Sequence, residues 1–307
     1  MPITHNAHQA SFDVIIVGGS YSGLSAAMAL GRSLRRVLVI DSGKPCNRQT
    51  PHSHNFITHD GETPEEISKL ARRQVEKYET VQIFQGLAMK GMRTEAGFWI
   101  ETQEGKIFDA RKLIITSGVR DIMPDIPGFA ECWGISVIHC PYCHGYEVRN
   151  EATGILADGD AALHLTPMVN NLTRQLIIFT NGEATFSEEQ HQKLERHGIK
   201  VIEKEVEKIE HINGQLKHLI FKDSSSSPLK ALYARVPFVQ HSIIPEMLGC
   251  ELTEFGLLKT DAFQQTSIPG VFAAGDCATL MRSVASAVAT GNLAGAMANK
   301  QLCEEDF

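Results

Sequence analysis

Positive charge is in short supply in this chain. Its 307 residues carry 29 Lys and Arg against 36 Asp and Glu, a formal net charge of −7 with a pI near 6.0. That balance offers no basic footprint for a nucleic acid. Long apolar runs are scarce as well. The most membrane-like stretch, SVASAVATGNLAGAMANKQL at 283–302, is built from Ala, Ser and Gly and includes Asn292, Asn299 and Lys300. It is too weakly apolar to span a bilayer, so a close-packed internal helix is expected there, and no membrane partner. Cysteines number seven, and only Cys140 and Cys143 are closely spaced. An odd count with one short pair does not fit a secreted disulfide framework, and a reducing, cytoplasmic setting is expected. The N-terminal MPITHNAHQASFD lacks the apolar core of a signal peptide and reads as a loose tail.

The chain does have enough length for two domains, with 43% hydrophobic residues and 25 glycines. FDVIIVGGSYSGLSAAMALGRSLRRVLVIDSG (12–43) reads as a buried strand at 14–17, a glycine turn, a helix at 24–34 and a second buried strand at 37–40. This is a parallel βαβ unit. A charged amphipathic helix is expected over 63–79, capped by Thr63 with Pro64 at its first position. A hairpin turning at Glu104-Gly105 then feeds a buried strand. A second βαβ pattern runs over 154–182, followed by a hairpin around Asn213-Gly214 and a polar loop, SSSSP, at 224–228. Two such units predict an α/β chain with two Rossmann-like dinucleotide-binding domains.

Gly18, Gly19, Ser20, Tyr21, Ser22 and Gly23 fill the first strand-to-helix turn. Gly18 permits the tight turn, Gly23 lets helix and strand approach, and the helix N-terminus offers amides to a pyrophosphate. Ser20 stands where the fingerprint has its middle glycine; a serine still admits close backbone approach, and its hydroxyl can bond a phosphate. Asp41, closing the second strand, is placed to hold a ribose hydroxyl pair.

HCPYCHGYE (139–147) holds the closely spaced cysteines. At a helix start, backbone amides stabilise a thiolate, and the spacing lets the two sulfurs close a bond. Zinc is the competing reading. A structural zinc needs four ligands, the flanking histidines are too close in sequence to join comfortably, and no second CxxC exists. HSHNFITH (52–59) could complete a metal set, but a polar wall beside a cofactor is the more economical reading. The remaining cysteines, 46, 132, 250, 277 and 303, are expected to pack, and Glu147 to be a solvated or capping acid.

TSIPGVFAAGDC (266–277), IITSGVR (114–120) and HNF (54–56), together with CPYCHGYE, resemble the low-molecular-weight thioredoxin reductases. The similarity is nearest to their subgroup of dithiol oxidases and atypical disulfide reductases, which carry His after the second cysteine. It extends from about Phe12 to Leu302 and implies a three-layer ββα architecture, a homodimer, and a discontinuous FAD domain. Residues 1–117 and 244–307 would form that domain, and 118–243 the NADPH-type domain carrying the CxxC. FAD would meet the glycine turn, Asp41, Asn47, Asn55, Ser117, Gly118, Gly275, Asp276, Arg282, Ser283 and Val284. The family has Gln where Ser283 stands. By the same resemblance Cys143 faces the flavin, Cys140 exchanges with the substrate, and His144 replaces an acidic proton donor. Histidine is suited to take and return a thiol proton near neutrality.

The resemblance also marks an absence. At the family's GxGxxA turn for NADPH this chain reads GILADGDAALH, with Ala157 for the first glycine and Asp158 beside it; Gly159 and Ala162 are kept. At ~5 Å two unit charges repel by roughly 3 kcal/mol at an effective dielectric of about 20, about a hundredfold in affinity. The arginine-rich stretch for the 2′-phosphate is replaced by TNGEATFSEE, without Lys or Arg from Asn181 to Gln192. NADPH binding is therefore doubtful. A dithiol oxidase and a disulfide reductase fed by a carrier protein both remain open, acting on a thioredoxin-like protein or a small dithiol or disulfide. An ordinary NADPH-dependent thioredoxin reductase and a non-catalytic flavin–disulfide sensor are the alternatives.

Overall fold

Short β-branched runs alternate with Ala-rich or charged amphipathic segments, and the computed structural model, which describes residues 12–307, turns them into strands and helices. The expected N-terminal tail otherwise lies outside the described residues. In chain order come β1 (Phe12–Val17), α1 (Tyr21–Arg32), β2 (Val37–Asp41), α2 (Pro64–Val75), β3 (Val81–Gln85), β4 (Ala88–Thr94), β5 (Gly97–Thr102), β6 (Ile107–Ile115) and β7 (Val119–Asp121). Next are α3 (Phe129–Cys132), β8 (Val137–Ile138), α4 (Pro141–His144), β9 (Thr153–Leu156), α5 (Gly159–Leu172), β10 (Leu176–Phe179), α6 (Glu188–Arg196) and β11 (Lys200–Ile202). Then follow β12 (Val206–Ile212), β13 (Gln215–Phe221), β14 (Ser226–Pro228), β15 (Ala231–Ala234), β16 (Phe238–Gln240), α7 (Ile244–Met247), β17 (Val271–Ala273) and α8 (Val284–Asp306).

Contacts divide the chain into two units. Of the described residues, the first comprises 12–48, 62–120 and 238–307; the second comprises 49–61 and 121–237. The divisions expected from the family resemblance lie at 117/118 and 243/244, with 49–61 in the first domain.

In the first unit the sheet order is β3-β2-β1-β6-β5-β4, with β17 on β6. The β1, β2, β3, β6 and β17 ladders are parallel, and β4–β5–β6 is an antiparallel meander. One sheet face buries Val14, Ile16, Val37 and Val39 against Leu24, Ala27 and Leu30 of α1 and Ala294, Ala298 and Leu302 of α8. The other buries Ile15, Val17, Leu38 and Ile40 with Ala88, Phe98 and Ile100 of the meander. The result is a three-layer stack built on two-faced hydrophobic strands. The weakly apolar 283–302 stretch lies in α8, where Gly291 and Gly295 admit the α1 backbone: a Cβ at Gly295 would stand 2.6 Å from the Ala26 carbonyl oxygen. Thr63 caps α2 in a reciprocal capping box with Glu66.

The second unit repeats the plan. Its parallel sheet runs β11-β10-β9-β15-β8, with Ile155, Ile178 and Tyr233 packed among Ala162, Leu165 and Val169 of α5. The antiparallel sheet β12-β13-β14 contributes Ile209, Leu219 and Phe221 to the core on the opposite side. One expectation needs correction: part of the polar SSSSP loop is strand β14. Ser226, Ser227 and Pro228 pair with Ile220, Leu219 and His218, so backbone pairing along β13 prevails over low side-chain propensity.

Candidate active site

The first site grows from the β1–α1 turn. Gly18 has φ +107°, and a Cβ there would lie 2.5 Å from the Thr116 carbonyl oxygen. A Cβ on Gly19 would meet Asp41 Cβ at 2.6 Å, and one on Gly23 would overlap the Gly18 carbonyl. All three positions therefore require glycine. Thr116, which sequence reasoning passed over, donates its hydroxyl to Gly18 O at 2.8 Å and Val17 O at 3.0 Å, pinning the turn to β6. Its signal was present in IITSG, one residue before the expected Ser117.

Asp41 accepts the Gly19 amide at 3.2 Å and so stands at the mouth of the turn. Ser20 is the N-cap of α1 with its hydroxyl making no cap bond, and the first turn contains no acid. The buried hydroxyls of Ser22 and Ser117 have no hydrogen-bond partner. Amides, a glycine cradle and orphaned hydroxyls at one turn fit a dinucleotide phosphate group.

The remaining predicted positions of this unit gather on neighbouring loops. Asn47 Nδ2 donates to Tyr21 Oη at 3.4 Å, and Tyr21 donates to Pro64 O at 3.0 Å. Gly118 has φ +67° and accepts the His241 amide at 3.2 Å. Gly275, at φ +78°, donates its amide to Thr290 at 3.1 Å, a partner the sequence did not advertise. Asp276 and Arg282 pair at 3.4 Å. Ser283 caps α8, accepting the Ser286 amide at 3.1 Å, and Val284 begins the helix. A serine at this position thus has a structural task of its own. Asn55 belongs to the 49–61 segment of the second unit, where it is exposed with φ +59° and its amide on Asp60 Oδ1 at 2.7 Å.

In the second unit Cys140 and Cys143 are joined as a disulfide with Cα atoms 5.4 Å apart. Cys140 is the N-cap of α4, and its sulfur accepts the Cys143 amide at 3.2 Å. The helix start expected from sequence is one short turn, Pro141–His144, followed by a 3-10 turn at Tyr146–Val148. A macrodipole needs more length, so the local amide supplies the polarising contact instead. His144 holds its proton less tightly than an ordinary imidazole. Burial is the main cause and His54 adds to it, while Glu147 opposes both.

Glu147 is exposed, as expected of a solvated acid, and its carboxylate also lies 3.6 Å from His54 Nε2. Not all the other cysteines pack. Cys132 and Cys277 are buried, and burial pushes the Cys277 thiol up to about 12. Cys46 and Cys303 are exposed, at 3.7 Å from Asp276 and 3.1 Å from Arg35 respectively. Among the described residues no group of three or more His, Cys, Asp or Glu could hold a metal ion. No helix among them is long and apolar enough to cross a membrane.

The β9–α5 turn carries the substituted nucleotide fingerprint. Asp158 directs both carboxylate oxygens to the Thr185 amide, each at 3.1 Å, across to the loop after β10. Desolvation works to raise its pKa, but hydrogen bonds from Thr185 and Gly159 outweigh it and the net shift is downward, so the charge is held. Asp160 and Gln190, 3.0 Å apart, make a second bridge between α5 and α6.

Known proteins show the same plan. The profile of the pyridine nucleotide-disulphide oxidoreductases matches residues 12–291. The thioredoxin reductase tcpT of Claviceps purpurea is 33% identical over 94% of both chains. The thioredoxin reductase sirT of Leptosphaeria maculans is 31% identical over 96% of both. The crystal structure of an oxidoreductase from Agrobacterium tumefaciens, 37% identical, superposes with a TM-score of 0.89 over 95% of this chain and 99% of that one. With its paired Rossmann-type units and its dithiol, the chain belongs to the pyridine nucleotide-disulphide oxidoreductase family and is a thioredoxin-reductase-like, FAD-dependent disulfide oxidoreductase.

Proposed function

We propose that this enzyme exchanges electrons between the Cys140–Cys143 pair and FAD without drawing on NADPH, and that it runs as a dithiol oxidase. The observation carrying this reading is Asp158. A retained negative charge, tied to Thr185, stands at the turn where NADPH phosphate would bind, and the following loop offers no Lys or Arg from Asn181 to Gln192. Charge repulsion and a missing 2′-phosphate partner both oppose the nucleotide.

The chain's own residues support dithiol chemistry. A substrate thiolate attacks Cys140, whose bond to Cys143 breaks, and Cys143 leaves with the electron pair. The second substrate thiol gives its proton to His144 and displaces Cys140, closing the substrate disulfide. An imidazole kept neutral by burial is suited to accept that proton. FAD, held by the β1–α1 turn with Asp41, Ser22, Ser117 and Asp276, would supply the two-electron acceptor that dioxygen reoxidises, giving hydrogen peroxide. The substrate is a dithiol, on a small molecule or a thioredoxin-like protein, and a cytoplasmic homodimer is the expected working form.

The relatives are named thioredoxin reductases, and the second reading is an NADPH-dependent enzyme of that kind. Anaerobic mixing separates the two. Rapid flavin bleaching by NADPH alone supports the reductase, whereas bleaching by a dithiol alone, reversed by air, supports the oxidase.

A further inference from the structure

Glu147 follows His144 by three residues, and around it the second unit assembles acid–base groups that the exchange step does not use. His54 arrives from the 49–61 segment with its side chain 19% exposed, Nε2 3.6 Å from Glu147 Oε1 and Nδ1 3.7 Å from Asp60 Oδ1. Glu147 is 39% exposed and Asp60 67%, so the row leads from a shielded imidazole to solvent. His54 and Glu147 act on the His144 proton affinity in opposite directions. Beneath them α5 brings the apolar Leu172 against Gly145. Strand β15 brings Tyr233, whose buried hydroxyl has no hydrogen-bond partner and whose proton is held tightly, first by burial and then by Glu147.

Dithiol oxidation makes such a row useful. Closing the substrate disulfide sheds two protons at the sulfurs, while the reduced flavin and the peroxide take up two elsewhere in the cycle, so an imidazole with little solvent access must discharge one before accepting another. We propose that Glu147 and His54 form a proton relay that carries the thiol proton from His144 past Asp60 to water. The N–H bond of His144 breaks as an O–H forms on Glu147. Glu147 passes its proton to His54 Nε2, and the proton on His54 Nδ1 leaves toward Asp60 and bulk water. No electrons move in these steps; they remain on sulfur until they reach the flavin. At 3.6 and 3.7 Å the gaps close by small side-chain rotations or through a bridging water.

The relay rests on the dithiol reading above. Its test is stopped-flow bleaching of the FAD-loaded enzyme by dithiothreitol under anaerobic conditions, comparing the unaltered protein with Glu147→Gln, His54→Gln and the double variant. Each single variant should bleach roughly 10-fold more slowly in dilute buffer, a modest share of the usual acid–base contribution. Added imidazole should restore the rate, because a free base replaces the missing path, and should not affect the unaltered enzyme. The double variant should be no slower than the slower single, as expected for two links of one chain. In Glu147→Gln the acid limb of the rate profile should move to lower pH, since a carboxylate that favours protonated His144 is gone. Equal FAD content and unfolding temperature verify that the fold is intact; if Glu147→Gln loses FAD, His54→Gln carries the test alone. Unaltered rates in dilute buffer, or a loss that imidazole does not restore, overturn the relay. A flavin in the unaltered enzyme that dithiothreitol cannot bleach overturns the dithiol reading itself, and the relay with it.

Discussion

Neutralising the nucleotide turn puts the charge argument to a direct trial. In Asp158→Asn the amide oxygen can still accept the Thr185 amide that the carboxylate accepts at 3.1 Å, so the turn keeps its shape while losing its charge. At ~5 Å one phosphate charge repels the carboxylate by about 3 kcal/mol at an effective dielectric of about 20, and by about 0.8 kcal/mol in water. Asp158 is partly exposed, so the relevant value lies between these limits, near ~1.5 kcal/mol, or about 10-fold in Kd. Adding Glu183→Arg supplies the absent partner for the 2′-phosphate; a charge-assisted hydrogen bond of about 1.5–3 kcal/mol brings the double variant to a gain of about 100-fold or more. The assay is NADPH binding followed by nicotinamide fluorescence, with anaerobic flavin bleaching as the functional readout. The reasoning is refuted if the unaltered enzyme already binds NADPH at micromolar Kd, or if neither variant gains affinity.

Two further outcomes follow from local geometry. Folded His144 binds its proton less tightly than the unfolded chain's imidazole, mainly through burial. Below the ordinary value of about 6.5 the unfolded state therefore holds more protons, so stability is full above that pH and is lost as pH falls through it toward the folded pKa. Denaturant unfolding at about pH 7.5 and about pH 5.5 should show a loss on acidification that is smaller in His144→Gln; equal losses in both proteins would contradict the assignment. In Gly23→Ala the new Cβ overlaps the Gly18 carbonyl and comes within 2.9 Å of Thr116 Oγ1. Overpacking of about 1–3 kcal/mol and loss of bound FAD are expected, measured by unfolding and by flavin absorbance, and an FAD-saturated variant of normal stability would refute the cradle.

Legibility in the sequence followed the range of the interactions. The βαβ units were readable because buried strands repeat β-branched residues and the glycines of the first turn answer to steric limits within a few residues. Thr116, Thr290 and the Asp158–Thr185 bridge were not, since each depends on a partner brought close only by sheet order. Glu147 reads as a surface acid and is exposed, but its pairing with His54 was not legible because His54 lies far back in the chain and the 49–61 segment gives no local sign that it packs with the second unit. Ser226–Pro228 became a strand through pairing with β13, against its own composition.

The central claim is that a dithiol, rather than a nicotinamide, reduces the flavin by way of Cys143. An anaerobic titration of the FAD-loaded enzyme, reading the flavin absorbance after NADPH, then NADH, then dithiothreitol, tests it most directly. The account predicts no bleaching by either nucleotide, full bleaching by the dithiol with return of colour in air, and a Cys143→Ser variant that keeps FAD but stays yellow throughout. Stoichiometric bleaching by NADPH, or dithiol bleaching undiminished in Cys143→Ser, would contradict it.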